Sequence, residues 1–359
     1  MRKFLYALVL APSLLFGQRD SLDIKIGQMI IMGLDNFNEL DESEPMFLDI
    51  RDGILGNVIL YSKHINQENP KSALQEITEH IQSIAPIPVF IGIDEEGGRV
   101  NRLKPKYGFP KTRSAQKLGE INQKDSTTAY ASSSAKAMKA MGINMNFAPT
   151  LDVNVNPQNP VIGRVGRSYS EDETEVARHG LWMIQAQQRQ GIVNVVKHFP
   201  GHGSSSTDSH LGMADVSDTW QRRELDPFKK LIEKGEVDAL MTAHIVNAKL
   251  DPSRKPATLS KKIIAGLLRE QIGYDGVVIS DDMQMHAISK HYGFEEAIVL
   301  SINAGVDMVM FANNIELSDR VSPQQIHNLI KMNVIEGKIP LQRIEDSYRR
   351  IKNLKKDRL

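Results

Sequence analysis

Eight apolar runs recur along the chain, and most of them are apolar without alternation. They are Gly27–Gly33, Gly56–Tyr61, Pro88–Asp94, Gly142–Ala148, Gly191–Lys197, Val237–Ala243, Gly276–Ser280 and Val306–Phe311. A strand with one wet face alternates apolar and polar side chains. A strand buried on both faces does not, so these runs predict parallel strands covered on both sides. Amphipathic segments with helix signals lie between them. Ser217-Asp218 precedes a predicted helix through Leu231 that Gly235 ends, and Ser260 starts another that runs to about Gln271 and stops before Gly273.

Eight strand–helix units in 359 residues read as a single (β/α)8 barrel, an α/β fold. The rival is an open doubly wound sheet. The barrel is favoured because polar motifs follow the C-terminal ends of many of the runs. A barrel gathers those ends at one mouth, whereas an open sheet scatters them along an edge. The residues after Phe311 suffice for two C-terminal helices and a basic tail (Lys355, Lys356, Arg358), read as a solvated helix end.

The first residues follow another pattern. Arg2 and Lys3 precede an apolar stretch, Phe4–Phe16, too short for a comfortable transmembrane span. This reads as a signal peptide over residues 1–17, cleaved before Gln18, with Ala11-Pro12-Ser13 as a second cleavage candidate. The barrel domain then occupies residues 18–359. The expected protein is exported, periplasmic or extracellular, without a membrane span in its mature form. A monomer is the expected state.

Composition narrows the function. The chain is 41% hydrophobic and 25% charged, which excludes a disordered or collagenous chain. Lys plus Arg equals Asp plus Glu at 44 each, so the bulk field that drives general nucleic-acid binding is missing. No cysteine is present, which excludes disulfides, thiolate metal sites and a catalytic thiol.

Four motifs follow strand ends. The densest runs Lys197-His198-Phe199-Pro200-Gly201-His202-Gly203 and on through Asp208-Ser209-His210, read as a mobile loop. Its histidines raise a zinc reading, but Pro200-Gly201 breaks any helical ligand spacing and no fourth ligand is evident, so neither metal nor cofactor is called for. The second is Asp94-Glu95-Glu96-Gly97-Gly98-Arg99, with Arg102 beyond it. The third is Gly163-Arg164-Val165-Gly166-Arg167-Ser168-Tyr169, preceded by Asp152 and Asn154. The fourth is Ser280-Asp281-Asp282-Met283-Gln284-Met285, where one of the two aspartates serves to cap the next helix. A mouth holding carboxylates, Arg, Lys and His suits a polyhydroxylated ligand. A carboxylate attacks an anomeric carbon and stabilises oxocarbenium-like charge, and a His beside an Asp moves the proton.

These motifs, IDEEGGRVNRL (Ile93–Leu103), NFAPTLDV (Asn146–Val153), KHFPGHGSSSTDSH (Lys197–His210) and ISDDMQM (Ile279–Met285), resemble the family 3 glycoside hydrolases, in particular the bacterial β-N-acetylhexosaminidase branch. The resemblance implies retaining hydrolysis through a covalent glycosyl-enzyme. It implies Asp281 as nucleophile, His210 as general acid/base and Asp208 as its partner. Asp94, Arg102, Arg167, Lys197 and His198 match the sugar-binding positions, with Arg164 competing with Arg167. The β-glucosidase branch places its acid/base carboxylate on a second domain, for which this chain is too short, so the Asp-Ser-His loop is the expected source. The implied substrate is a terminal β-linked N-acetylglucosamine, in peptidoglycan fragments or chitooligosaccharides. Phosphorolysis, a β-glucosidase and a silent sugar-binding protein are the alternatives.

Overall fold

The computed structural model describes residues 21–34, 39–209 and 211–359. The predicted signal peptide, its cleavage site and His210 therefore lie outside the described residues. All eight apolar runs supply strands. They are β1 (Ile30–Gly33), β2 (Asn57–Leu60), β3 (Phe90–Ile93), β4 (Met145–Asn146), β5 (Val193–Phe199), β6 (Ala239–Thr242), β7 (Val277–Asp282) and β8 (Met308–Phe311). They close in sequence order, with β1 pairing both β2 and β8, and every pairing in the barrel is parallel. The open-sheet alternative is thereby excluded.

The lack of alternation has its cause in this layering. Side chains of Ile30, Ile59, Ile91, Val195, Leu240, Val278 and Val309 are buried whether they face the barrel interior or the surrounding helices. Helices Pro70–Ile84, Lys124–Ala140, Glu173–Gln188, Asp226–Glu233 and Phe294–Ala304 form the outer layer. Between β6 and β7 the predicted helix spans Lys262–Gln271 and is wound as a π-helix, with the Ser260 hydroxyl accepting from Ile263 N at its start. One boundary differs from the sequence reading. Ser217 belongs to a turn closed on Asp215, and the helix ahead of β6 begins at Asp226, after a single 3-10 turn over Arg222–Leu225. Pro227 explains the late start, because proline fits the first helical turn and not the interior.

Both C-terminal helices are present, Pro323–Ile335 and Leu341–Arg358. The basic tail is not simply solvated. Lys356 is exposed, but Lys355 is buried against the N-terminal end of the barrel, where Nζ donates to Gln28 Oε1 at 2.6 Å and the Gly56 carbonyl at 3.1 Å and lies over the Phe90 ring. Arg358 pairs with Asp238. The last helix thus closes the bottom of the barrel and leaves the opposite mouth free for chemistry.

Candidate active site

At the C-terminal mouth lies a cavity of about 480 Å³. Asp94 from the end of β3, Lys197 and His198 from β5, and Asp281 from β7 line it, together with Arg102, Arg167, Glu96 and Tyr61. Five expected sugar contacts and the expected nucleophile therefore converge on one space.

Loop geometry accounts for the convergence. After β3, the buried Glu95 folds the following loop back on itself by accepting from Asn101 Nδ2, Arg102 N and Leu103 N at 2.7 to 3.0 Å. Burial pushes its carboxyl up to about 7 despite those donors. Gly97 at φ 99° makes the turn, and a side chain there would strike the Arg113 carbonyl and the Tyr130 hydroxyl. The loop then returns Arg102 to within 3.4 Å of Asp94. In β5 the pairing with β6 shifts register between Val196 and Phe199, the kind of irregularity that re-aims side chains at strand ends. Lys197 Nζ lies 2.7 Å from Asp94 and 2.6 Å from Glu96.

Glu96 is the hub of this charge network. Arg167 binds it with two parallel bonds, Nε to Oε2 at 2.8 Å and Nη2 to Oε1 at 2.7 Å. Burial opposes its ionisation, but the charges and bonds of Arg167 and Lys197 outweigh burial and hold the carboxyl well below the usual range. The same Arg167 reaches His198 Nε2 at 3.2 Å. His198 Nδ1 lies 2.6 Å from Asp152, which is wholly buried and also accepts from the His202 backbone N at 2.7 Å. Of the two competing arginines, Arg167 lines the cavity and Arg164 is exposed to solvent.

The two aspartates of β7 are distinguished as well. Asp282 Oδ1 accepts from Gln284 N and Ala312 N, both at 3.1 Å, and its carbonyl meets His244 Nε2 at 2.9 Å, so it fixes the strand end. It does not cap the next helix as expected, because that helix, His286–Ser289, starts at Met285 without a side-chain cap. Both aspartates line the cavity, and Asp281 accepts from Asp282 N at 2.8 Å.

The loop after β5 is less free than the sequence reading expects. Ser204 and Ser205 are buried, and only Ser206 and Thr207 of the stretch 201–209 are exposed. Gly203 packs so closely on the Val153 carbonyl that no Cβ would fit. Glu224 accepts from Ser204 N, Asn159 Nδ2 donates to the His202 carbonyl, and Asn156 Nδ2 donates to the Ser205 carbonyl. Asp208 is half-buried within this loop and does not line the cavity, and His210 lies outside the described residues. Among the described residues no group of three metal-ligating side chains is arranged to hold an ion.

Sequence reasoning missed Glu96 and Asp152 as individual site residues. Both stand inside the quoted motifs, one beside Asp94 and the other in NFAPTLDV. Glu224 carried no signal, because it comes from a different segment and acts on backbone.

A parallel barrel with carboxylates and cations at its C-terminal mouth is the architecture of an enzyme, and the carboxylates suit glycoside chemistry among other reactions. Comparison with known proteins narrows the class. Residues 21–354 match the Glycosyl hydrolase family 3 N terminal domain, and the chain belongs to that family. Beta-hexosaminidase A of Pseudoalteromonas piscicida is 36% identical over 279 residues, covering 71% of this chain and 45% of that protein. The beta-hexosaminidase of Tolumonas auensis is 33% identical, covering 77% and 80% of the two chains. Among solved structures, a family 3 beta-N-acetylglucosaminidase from Paenibacillus sp. str. FPU-7 superposes with a TM-score of 0.86 at 36% identity, over 94% of this chain and 62% of that one. The chain thus spans less than half of the first of these relatives and most of the second.

Proposed function

We propose that the protein is a retaining β-N-acetylhexosaminidase that releases terminal β-linked N-acetylglucosamine. The carrying observation is that Asp281 lines one cavity together with Asp94, Arg102, Arg167, Lys197 and His198. Asp94 and Glu96 accept from sugar hydroxyls, and the cations donate.

In this reading Asp281 attacks the anomeric carbon while the glycosidic C–O bond breaks. The His210 imidazolium gives its proton to the departing oxygen, leaving a glycosyl ester on Asp281 and a neutral imidazole. That imidazole next takes a proton from water, the hydroxide attacks the anomeric carbon, and the Asp281 carboxylate leaves. Asp208 orients the ring and stabilises its cationic form, the role an Asp plays beside His in hydrolase triads.

The names of the relatives support the acetamido sugar over glucose. Parallel assays on chromogenic β-N-acetylglucosaminide and β-glucoside test this. Turnover of the first alone is expected, and turnover of the second alone overturns the reading. The cationic and apolar start of the chain supports export, and the family resemblance implies peptidoglycan fragments or chitooligosaccharides as substrates. N-terminal sequencing of the native protein should begin near Gln18. An intact Met1 in the cytoplasmic fraction rejects export.

A further inference from the structure

A second, largely apolar cavity of about 260 Å³ adjoins the first, with Gln284, His286 and Ile315 forming walls of both. Ile288, Tyr292, Phe294, Ile298, Phe311 and Val321 build its interior. The Phe294 and Phe311 rings meet at 5.9 Å, and Phe294 stays 43% exposed. A dry cavity of roughly 150 Å³ accommodates benzene, so the space suits a phenyl ring or a short alkyl chain.

We infer that this cavity receives an apolar part of the aglycone, and that among simple β-N-acetylglucosaminides the enzyme favours those whose leaving alcohol carries an apolar group of that size. The inference rests on the glycosidase reading above. Three observations lead to it. The shared walls make the cavity a continuation of the catalytic one. It also abuts the described end of the β5 loop, at Ser209. The Ser209 carbonyl, between Asp208 and His210 in sequence, accepts from Ala287 N at 3.3 Å, and the neighbours of Ala287, His286 and Ile288, both line the apolar cavity. Finally, the sugar wall is charged, with Asp94, Glu96, Arg102, Arg167 and Lys197 paired with one another, so an apolar group finds its complement next door.

An alkyl series isolates the effect, because methyl, n-butyl and n-hexyl alcohols have nearly equal acidity and differ in apolar length only. In the wild type kcat/KM should climb by about two- to fourfold per methylene while the chain is being buried, giving a hexyl-to-methyl ratio of about tenfold or more. Ala297→Leu fills the cavity and Phe294→Ala removes part of its wall, and each should bring the ratio toward one. The ratio is internal to each variant, so a general loss of activity or yield leaves the test intact. A flat series in a wild type that hydrolyses the methyl glycoside overturns the inference alone. So does a ratio that survives both substitutions, or a gain that follows the length of the 2-acylamido group instead of the aglycone. Failure to hydrolyse any of these glycosides removes the glycosidase reading itself.

Discussion

Ser209 Oγ lies 3.2 Å from Nε2 of His202, so a ring on the buried stem of the β5 loop holds the residue between Asp208 and His210. Burial keeps this imidazole neutral, with a pKa near 4 despite the opposing pull of Asp152. His202 Nδ1 is buried without a partner, and a proton on Nε2 leaves a lone pair unsatisfied there instead of an N–H. The Asp152 carboxylate fixes both the His198 ring and the His202 backbone, so sugar wall and loop share one anchor. Ser209→Ala should lower kcat on glycosides with poor leaving groups by roughly five- to tenfold, the value of one net hydrogen bond. Aryl substrates with acidic phenols should be little affected, and Ser209→Thr should restore the rate. Equal losses on both substrate types count against a positioning role.

The two adjacent aspartates separate by readout. A 5-fluoro or 2-deoxy-2-fluoro glycoside should trap an adduct that peptide mass spectrometry places on Asp281. Asp281→Ala should lose several orders of magnitude in turnover. Asp282→Ala leaves the amides of Gln284 and Ala312 unpaired and should cost about 1–3 kcal/mol of stability. An adduct on Asp282 reverses the roles.

Glu96→Gln strips Arg167 and Lys197 of their common counter-charge. Breaking a buried pair from one side costs about 3–5 kcal/mol, so a lower melting temperature and a higher KM are expected together. Because the native carboxyl is depressed, its contribution is fully present above pH 4.5 and is lost as pH falls through the native value. The variant should therefore show a shallower loss of stability on acidification than the wild type. Identical acid limbs in the two proteins would falsify the assignment of Glu96 as the hub.

Lys355 offers a pH test at the other end of the barrel. Burial lowers its pKa well below 10.5, so between the native and unfolded values the unfolded chain binds the extra proton. Stability then rises with pH through that window. Wild type should gain stability relative to Lys355→Met as pH approaches 10 in denaturant titrations. A constant difference from pH 7 to pH 10 indicates an ammonium that stays charged in the fold.

The strands were legible because burial on both faces leaves unbroken apolar runs, and Gly235 and Ser260 marked helix ends by local chemistry. The choice between Asp94 and Glu96 was not, because a turn built on Gly97 and Gly98 sends neighbouring carboxylates into one network. Lys355 looks like any basic helix end until the closing helix is set against Gln28 and Gly56, hundreds of residues earlier. The apolar cavity joins side chains from the segments after β7 and β8, whose spacing in sequence carries no trace of their meeting.

The acid/base assignment is the sharpest test of mechanism. Most glycosidases use a second carboxyl group for this step, whereas here the resemblance points to His210 paired with Asp208. General acid help matters most when the leaving group is poor, and it contributes about 10²–10⁴-fold. His210→Ala should therefore cripple natural disaccharides far more than aryl glycosides with acidic phenols, and Asp208→Ala should give a milder form of the same pattern. On the aryl substrate the first step proceeds without the acid, and the glycosyl ester on Asp281 then waits for a base to activate water. Azide needs no such base, so it should partly restore the rate and yield the glycosyl azide with retained β configuration. Equal slowing of both substrate types, together with no response to azide, would assign the proton transfer to another group.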